Sequence, residues 1–188
     1  MKSIRYEDFE NGEIVFLKNL CNDLMAFQAS RAKIKPEVIE AMSFENRLVP
    51  DFQEAFKRVI TVAWDGNIAV GFAFATVNDI NKININYRPT WARDLNGIGF
   101  YPKDYDVPRR IGTFKLLYVM PEYRDLHIGA ELSSRIMTWL KSQQDADDLW
   151  VFVANGNEDV ASFYEKLGFH FSHSVFGDFV RAYKKVNA

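Results

Sequence analysis

Thr113-Phe114-Lys115-Leu116-Leu117-Tyr118-Val119-Met120-Pro121-Glu122-Tyr123-Arg124-Asp125-Leu126-His127-Ile128-Gly129-Ala130 reads as a buried strand, a short turn and the start of a helix. That order builds an anion site. The first turn of a helix presents unsatisfied backbone N–H groups and the positive end of the helix dipole, so a phosphate or pyrophosphate can be held there without a motif lysine. Arg124 adds a cationic fork beside the turn, and Gly129 removes a Cβ where ligand oxygens approach the backbone.

Downstream, Ile128, Leu132, Ile136, Trp139 and Leu140 share one stripe and predict a helix over about 128–143. Asp145, Asp147 and Asp148 are expected in a solvated turn, with no histidine or further carboxylate to make a metal site. Leu149 to Ala154 is an apolar strand. Asn157 is expected to cap a last helix that carries Val160, Phe163, Tyr164 and Leu167 on one face and ends at Gly168. Residues 169–175 and 179–186 alternate as two closing strands.

Upstream, a strand at about 2–6 leads to Asn11-Gly12 and then to Ile14, Leu17, Leu20, Cys21, Leu24 and Phe27, whose spacing marks an amphipathic helix. Pro36 suits the first turn of a second helix, and Asp51 three residues before Glu54 reads as the cap of a third. Residues 58–77 form a hairpin around Asp65-Gly66-Asn67, with Gly71 marking a bulge or a close backbone approach. Residues 78–112 keep no clean period and interleave Asn, Pro, Arg and Asp with aromatics, as a long functional insertion would. The order β-α-α-α-β-β-β-α-β-α-β-β describes one α/β domain over residues 1–188 with a mixed, mainly antiparallel sheet.

The 188 residues are 48% hydrophobic and 15% aromatic, enough for a sizeable core. Lys and Arg number 23 against 25 Asp and Glu, and a net charge of -2 supplies no broad cationic field for nucleic acid or an anionic membrane. Cys21 has no cysteine to pair with and reads as a small buried hydrophobe in a reducing compartment. The first residues carry no apolar signal core, and no run is long enough to span a bilayer, so a cytoplasmic location is expected.

The chain resembles the GCN5-related N-acetyltransferase (GNAT) family in two stretches. Tyr118 to Ala130, with Arg124, His127, Gly129 and Ala130, is similar to the family's Arg/Gln-x-x-Gly-x-Gly/Ala turn, which holds the pyrophosphate of coenzyme A. Asn157 to Phe169 is similar to its later helix motif. With the strands around them the resemblance covers residues 58–175; the first 57 residues share only a strand followed by helices. His127 departs from the pattern, standing where the family has its first glycine. It reads either as a tolerated, solvent-facing turn residue or as a ring donor to a phosphate oxygen.

The resemblance implies an acyltransferase fold and acetyl-CoA as cofactor. It places Leu117, Tyr118 and Val119 along the acyl arm, and Arg124, Asp125, Leu126, His127, Ile128, Gly129 and Ala130 at the pyrophosphate, with Asn157 and Tyr164 reaching in from the later helix. Tyr164 would carry its hydroxyl near the sulfur, and Asn157 would be first a helix cap and then a contact. A backbone N–H of Leu117 to Val119 would meet the negative charge that develops on the thioester oxygen. Transfer also needs a neutral amine, and a free alkyl amine with a pKa near ~10.4 is mostly protonated at pH 7. The strand that often carries the family's glutamate has none here. Glu122 just beyond it, Asp104 and Asp106 in the insertion, and a chain of waters are the alternatives for taking that proton.

The acceptor would lie against the first helices and the insertion, near Gln28, Arg31, Arg47, Tyr87, Trp91, Tyr101 and Tyr105. Aromatic rings near Asp104 and Asp106 suit a cationic amine, whereas Arg93, Arg109 and Arg110 suit an acceptor bearing a carboxylate or phosphate. The leading reading is an N-acetyltransferase acting on a small-molecule or peptide amine, as a monomer or homodimer. Beside it stand a catalytically silent acyl-CoA binding module and a nucleotide-binding fold of another kind. The last lacks any Gly-x-Gly-x-x-Gly or Gly-x-x-x-x-Gly-Lys run.

Overall fold

Seven strands form one sheet in the order β1-β2-β3-β4-β5-β7-β6, in a computed structural model that describes residues 3–186. The strands are β1 (Ile4–Phe9), β2 (Lys57–Asp65), β3 (Ile68–Ile80), β4 (Arg109–Val119), β5 (Asp148–Ala154), β6 (His170–Val175) and β7 (Val180–Val186). Five α-helices accompany them: α1 (Lys18–Arg31), α2 (Pro36–Glu40), α3 (Val49–Glu54), α4 (Ile128–Ser142) and α5 (Ala161–Lys166). Only β4 and β5 run parallel, so the sheet is mixed and mainly antiparallel as expected. Among the described residues no helix is long and apolar enough to cross a membrane.

The two faces of the sheet are buried differently. Phe114 and Val119 pack with Ile128, Leu132, Ile136 and Leu140 of α4 and Tyr164 of α5. Phe72, Phe74, Leu116 and Tyr118 pack on the other face with Leu20, Leu24, Leu48 and Phe52. A third cluster joins Ile39 of α2 to Trp150, Phe176 and Phe179.

The β2–β3 hairpin turns on Gly66, which takes φ +60 where a two-residue loop favours glycine. Gly71 faces Tyr118 so closely that a Cβ would lie 2.9 Å from its carbonyl oxygen. The pairing around it also slips, with Ala63 opposite Gly71 but Trp64 opposite Ala69. Both readings of Gly71 therefore hold.

Several expectations are corrected. The third helix does not start on Asp51: it begins at Val49 after a π-helical turn over Phe44–Leu48, and Ser43 and Asn46 form the capping box. Asp51 instead faces two cations. Asp148 does not belong to a solvated turn; it is the first residue of β5, 3% exposed, accepting a hydrogen bond from the Tyr105 hydroxyl at 2.7 Å and pairing with Lys184 at 3.1 Å. A charge paired on both sides is tolerated inside where a lone one is not. The insertion is shorter than 78–112, because β3 runs to Ile80 and β4 starts at Arg109, where Asp79 and Ile80 pair with Arg110 and Arg109. Most of its aromatics pack on the core while Tyr87 is exposed: Trp91 packs on Phe100, Phe176 and Phe179, and the stacked rings of Tyr101 and Tyr105 meet the edge of Trp150.

Candidate active site

The sheet opens between its two parallel strands. Pairing of β4 with β5 stops at Phe114 opposite Val151, although β4 continues to Val119 and β5 to Ala154. The opening starts at a bulge. Across β3, Ala75 faces Phe114 and Phe74 faces Leu116, so Lys115 is the extra residue of β4. Phe114 and Leu117 then face the α4 side of the sheet while Leu116 and Tyr118 face the α1 side. An inserted residue bends its strand and increases the local twist, which carries β4 away from β5.

Between the splayed ends lies a cavity of about 310 Å³. Leu116 and Leu117 line it from β4, Val153 and Ala154 from β5, Phe27 and Gln28 from α1. Gly129 and Ala130 bring in the first turn of α4, and Asn157 and Tyr164 approach from the α5 side. The first helical bond of α4 runs from Glu131 N–H to His127 carbonyl at 3.1 Å, so the amides of Ile128, Gly129 and Ala130 stand before it and make no bond within the helix. The first turn of α4 thus opens on this cavity.

Tyr164 is 8% exposed, its ring edge-on to Phe114, Phe163 and Phe169. No side chain or backbone group among the described residues hydrogen-bonds its hydroxyl, and burial raises its pKa well above the ordinary tyrosine value. It therefore keeps its proton and can donate it to a bound group. Asn157 is brought to the cavity, but the expected cap is not made: its Nδ2 donates to the Asn155 carbonyl at 3.3 Å, and a 3-10 turn over Glu158–Val160 stands before α5. Without a side-chain bond from Asn157 to the next amides, the chain enters the helix through that tighter turn, closed by the Val160 N–H donating to the Asn157 carbonyl at 3.2 Å.

Arg124 is exposed; its Nε donates to the Val119 carbonyl at 3.1 Å, and its guanidinium lies 4.8 Å from the centre of the Phe27 ring. It bridges the end of β4 to Phe27 of α1 and is not among the residues that line the cavity. Asp125, Leu126 and His127 are exposed on the turn, and His127 takes φ +59. That left-handed conformation is the physical reason a glycine suits the position.

Glu122 and Asp104 are both exposed, and neither lines the cavity. Of the acceptor candidates only Gln28 does. Arg31 donates from Nε to the Gly156 carbonyl at 3.1 Å and pairs with Asp159, Arg110 pairs with Asp79 and Asp145, and Arg109 lies 3.3 Å from Asp106. The residue missed by sequence reasoning is Lys115. Its signal was a lone charge inside an apolar strand. Its Nζ lies 2.9 Å from Asp51 Oδ2, an oxygen that Arg47 Nη1 also reaches at 2.6 Å. Burial pushes the Asp51 carboxyl upward, but Lys115 and Arg47 outweigh it and hold the group below its usual range. Among the described residues no cluster of His, Cys, Asp and Glu could hold a metal ion.

Residues 26–169 match the model of the acetyltransferase (GNAT) family. No curated protein sequence matches the chain. Among solved structures, the PaiA N-acetyltransferase of Thermoplasma acidophilum in complex with coenzyme A is 16% identical, with 98% of this chain and 99% of that one covered at a TM-score of 0.64. Arabidopsis thaliana NAA60 in complex with acetyl-CoA is 12% identical, covering 98% and 97% at 0.56. Arabidopsis thaliana Naa50 in complex with a bisubstrate analogue is 14% identical, covering 97% and 98% at 0.56.

Proposed function

Because the chain belongs to the acetyltransferase (GNAT) family, we propose that it binds acetyl-CoA in the cleft between β4 and β5 and acetylates a primary amine of a small molecule or peptide by direct attack. The observation that carries this reading is the coincidence of three features in one cavity: strand backbone left unpaired by the splay, free amides at the start of α4, and the Tyr164 hydroxyl. The residues present fit the cosubstrate. The amides of Ile128, Gly129 and Ala130 receive the pyrophosphate, with Arg124 beside them, and Leu117 to Val119 pair with the amides of the acyl arm as an added strand would. The resemblance to PaiA and NAA60, which were solved with coenzyme A and acetyl-CoA, supports the same assignment.

The thioester supplies the acetyl group, the nitrogen–carbon bond forming as the carbon–sulfur bond breaks, and the proton lost by nitrogen is matched by the one sulfur gains. Tyr164 holds its proton beside the sulfur and donates a hydrogen bond as charge builds there. Among the described residues no carboxylate lines the cavity, so the acceptor's proton leaves through water; Glu122 and Asp104 can serve only as exposed ends of that path.

Two measurements test the reading. Acetyl-CoA at 100 times its dissociation constant should add about 2.7 kcal/mol to the unfolding free energy, while ATP or NAD should add nothing. Thiol release across a panel of amines should then find acceptors. Protection by acetyl-CoA without release on any amine would leave the chain an acyl-CoA binding module.

A further inference from the structure

Lys115 is the one charged side chain among the described residues that line the cavity. It is also the bulged residue at the point where β4 leaves β5, and Asp51 and Arg47, the groups it meets, come from the α1 and α3 side of the sheet. The three charges do not cancel. Asp51 is shared between Lys115 at 2.9 Å and Arg47 at 2.6 Å, leaving one positive charge in a cluster whose side chains are each 20 to 29% exposed. A half-buried excess charge is poorly screened by water and acts strongly on whatever enters.

The rings and carboxylates of the insertion, which would suit a cationic acceptor, are not among the residues that line the cavity. Tyr101, Tyr105 and Trp91 are packed in the core, and Lys184 rather than a ligand lies over the Tyr105 ring at 5.3 Å. Asp104 and Asp106 are exposed on the insertion. Of the arginines that would suit an anion, Arg109 is paired with Asp106 and Arg110 with Asp79 and Asp145, and Arg93 is exposed and not among the cavity-lining residues.

We propose that the acceptor is an amine that also bears a carboxylate, and that Lys115 binds this carboxylate, with Asp51 as the counter-charge that holds the lysine in place and Arg47 fixing Asp51 in turn. The inference rests on the acetyltransferase reading and adds the charge of the substrate. It has a second consequence: an ammonium beside the acceptor's own amine disfavours the protonated amine and leaves more of it neutral for attack.

The test compares amino acids with the matching amino-acid amides, and both with di- and polyamines, by kcat/KM at fixed acetyl-CoA. The amides have the intrinsic advantage of a less basic amine, so a preference for the acids must come from the protein. The wild type should favour the carboxylates by tenfold or more. Lys115→Met should bring that ratio to about one, and Lys115→Arg should keep most of it. Protection of each variant by acetyl-CoA against thermal unfolding confirms that it is folded and loaded. A wild type that prefers polyamines or amides, or a ratio unmoved in Lys115→Met, overturns this inference and leaves the acetyltransferase reading standing. Protection without turnover of any amine overturns both.

Discussion

Asn155 grips Ile34 by both sides of its backbone: Oδ1 accepts the Ile34 N–H at 2.8 Å, and Nδ2 donates to the Ile34 carbonyl at 3.1 Å. The same side chain accepts the Lys33 N–H at 2.7 Å and donates to the Phe179 carbonyl at 3.1 Å. The splayed end of β5 has no β4 beside it, and Asn155 ties the chain just beyond it to the segment between α1 and α2. It thereby fixes one wall of the cavity to the other.

Asn155→Ala removes an acceptor from two backbone donors and a donor from two carbonyls. Leaving such groups unsatisfied costs about 1–3 kcal/mol each where water cannot replace the partner; Asn155 is buried but Lys33 and Ile34 are exposed and can turn to water, so a loss of about 2–4 kcal/mol is expected. Chemical denaturation reads it. Acceptor KM should rise more than kcat falls, because the α1–α2 segment is loosened while Tyr164 is untouched.

Tyr164→Phe should leave the fold nearly unchanged, since the ring contacts with Phe114 and Phe169 persist and the hydroxyl has no partner among the described residues to orphan. Turnover should fall by about tenfold or more, equivalent to about 1.4 kcal/mol of barrier, with acetyl-CoA binding retained. Steady-state kinetics with unaltered kcat would assign the tyrosine to the core alone.

The strand, turn and helix of residues 113–130 were legible because a β run, turn residues and a helical stripe follow one another with no tertiary competitor. The cleft was legible only through resemblance: nothing local in Lys115 announces a bulge, since a bulge is a relation between two strands. Asp148 was misread for the same kind of reason. Its partners Tyr105 and Lys184 lie far off in sequence, and among Asp145 and Asp147 it looks like a surface carboxylate. Asp51 misled through spacing that fits a capping box, when Ser43 and Asn46 had already formed one.

His127 at φ +59 gives opposite expectations for two replacements. His127→Gly relieves a left-handed residue while adding freedom to the unfolded chain, and these offset to within about 1 kcal/mol. Acetyl-CoA affinity should then change by less than tenfold if the amides of Ile128 to Ala130 do the holding, as proposed. A β-branched residue tolerates that conformation badly, so His127→Val should reshape the turn and weaken binding by more than the glycine does. Calorimetric titration of both variants checks this; a loss of tenfold or more with glycine, which relieves the backbone and removes only the ring, would show that the imidazole itself contacts the phosphates.

His173 should make the attachment of the insertion sensitive to acid. Its Nε2–H donates to the Gly99 carbonyl at 3.2 Å, Nδ1 accepts from the Ser172 hydroxyl at 3.0 Å, and Trp150 lies edge-on to the ring. Burial lowers its pKa below the ordinary 6.5, and the bond to Gly99, which works the other way, only partly opposes it. The unfolded chain therefore binds this proton at a higher pH than the folded one, and stability rises with pH between the two values. The contribution is complete above about pH 6.5 and is lost as the pH falls through the folded-state value. His173→Gln can still donate to the Gly99 carbonyl but cannot titrate. Melting temperatures of the two proteins should run parallel from pH 8 to 7 and diverge below, with the wild type falling faster. Parallel curves down to pH 5 would mean that the ring is as easily protonated in the fold as out of it.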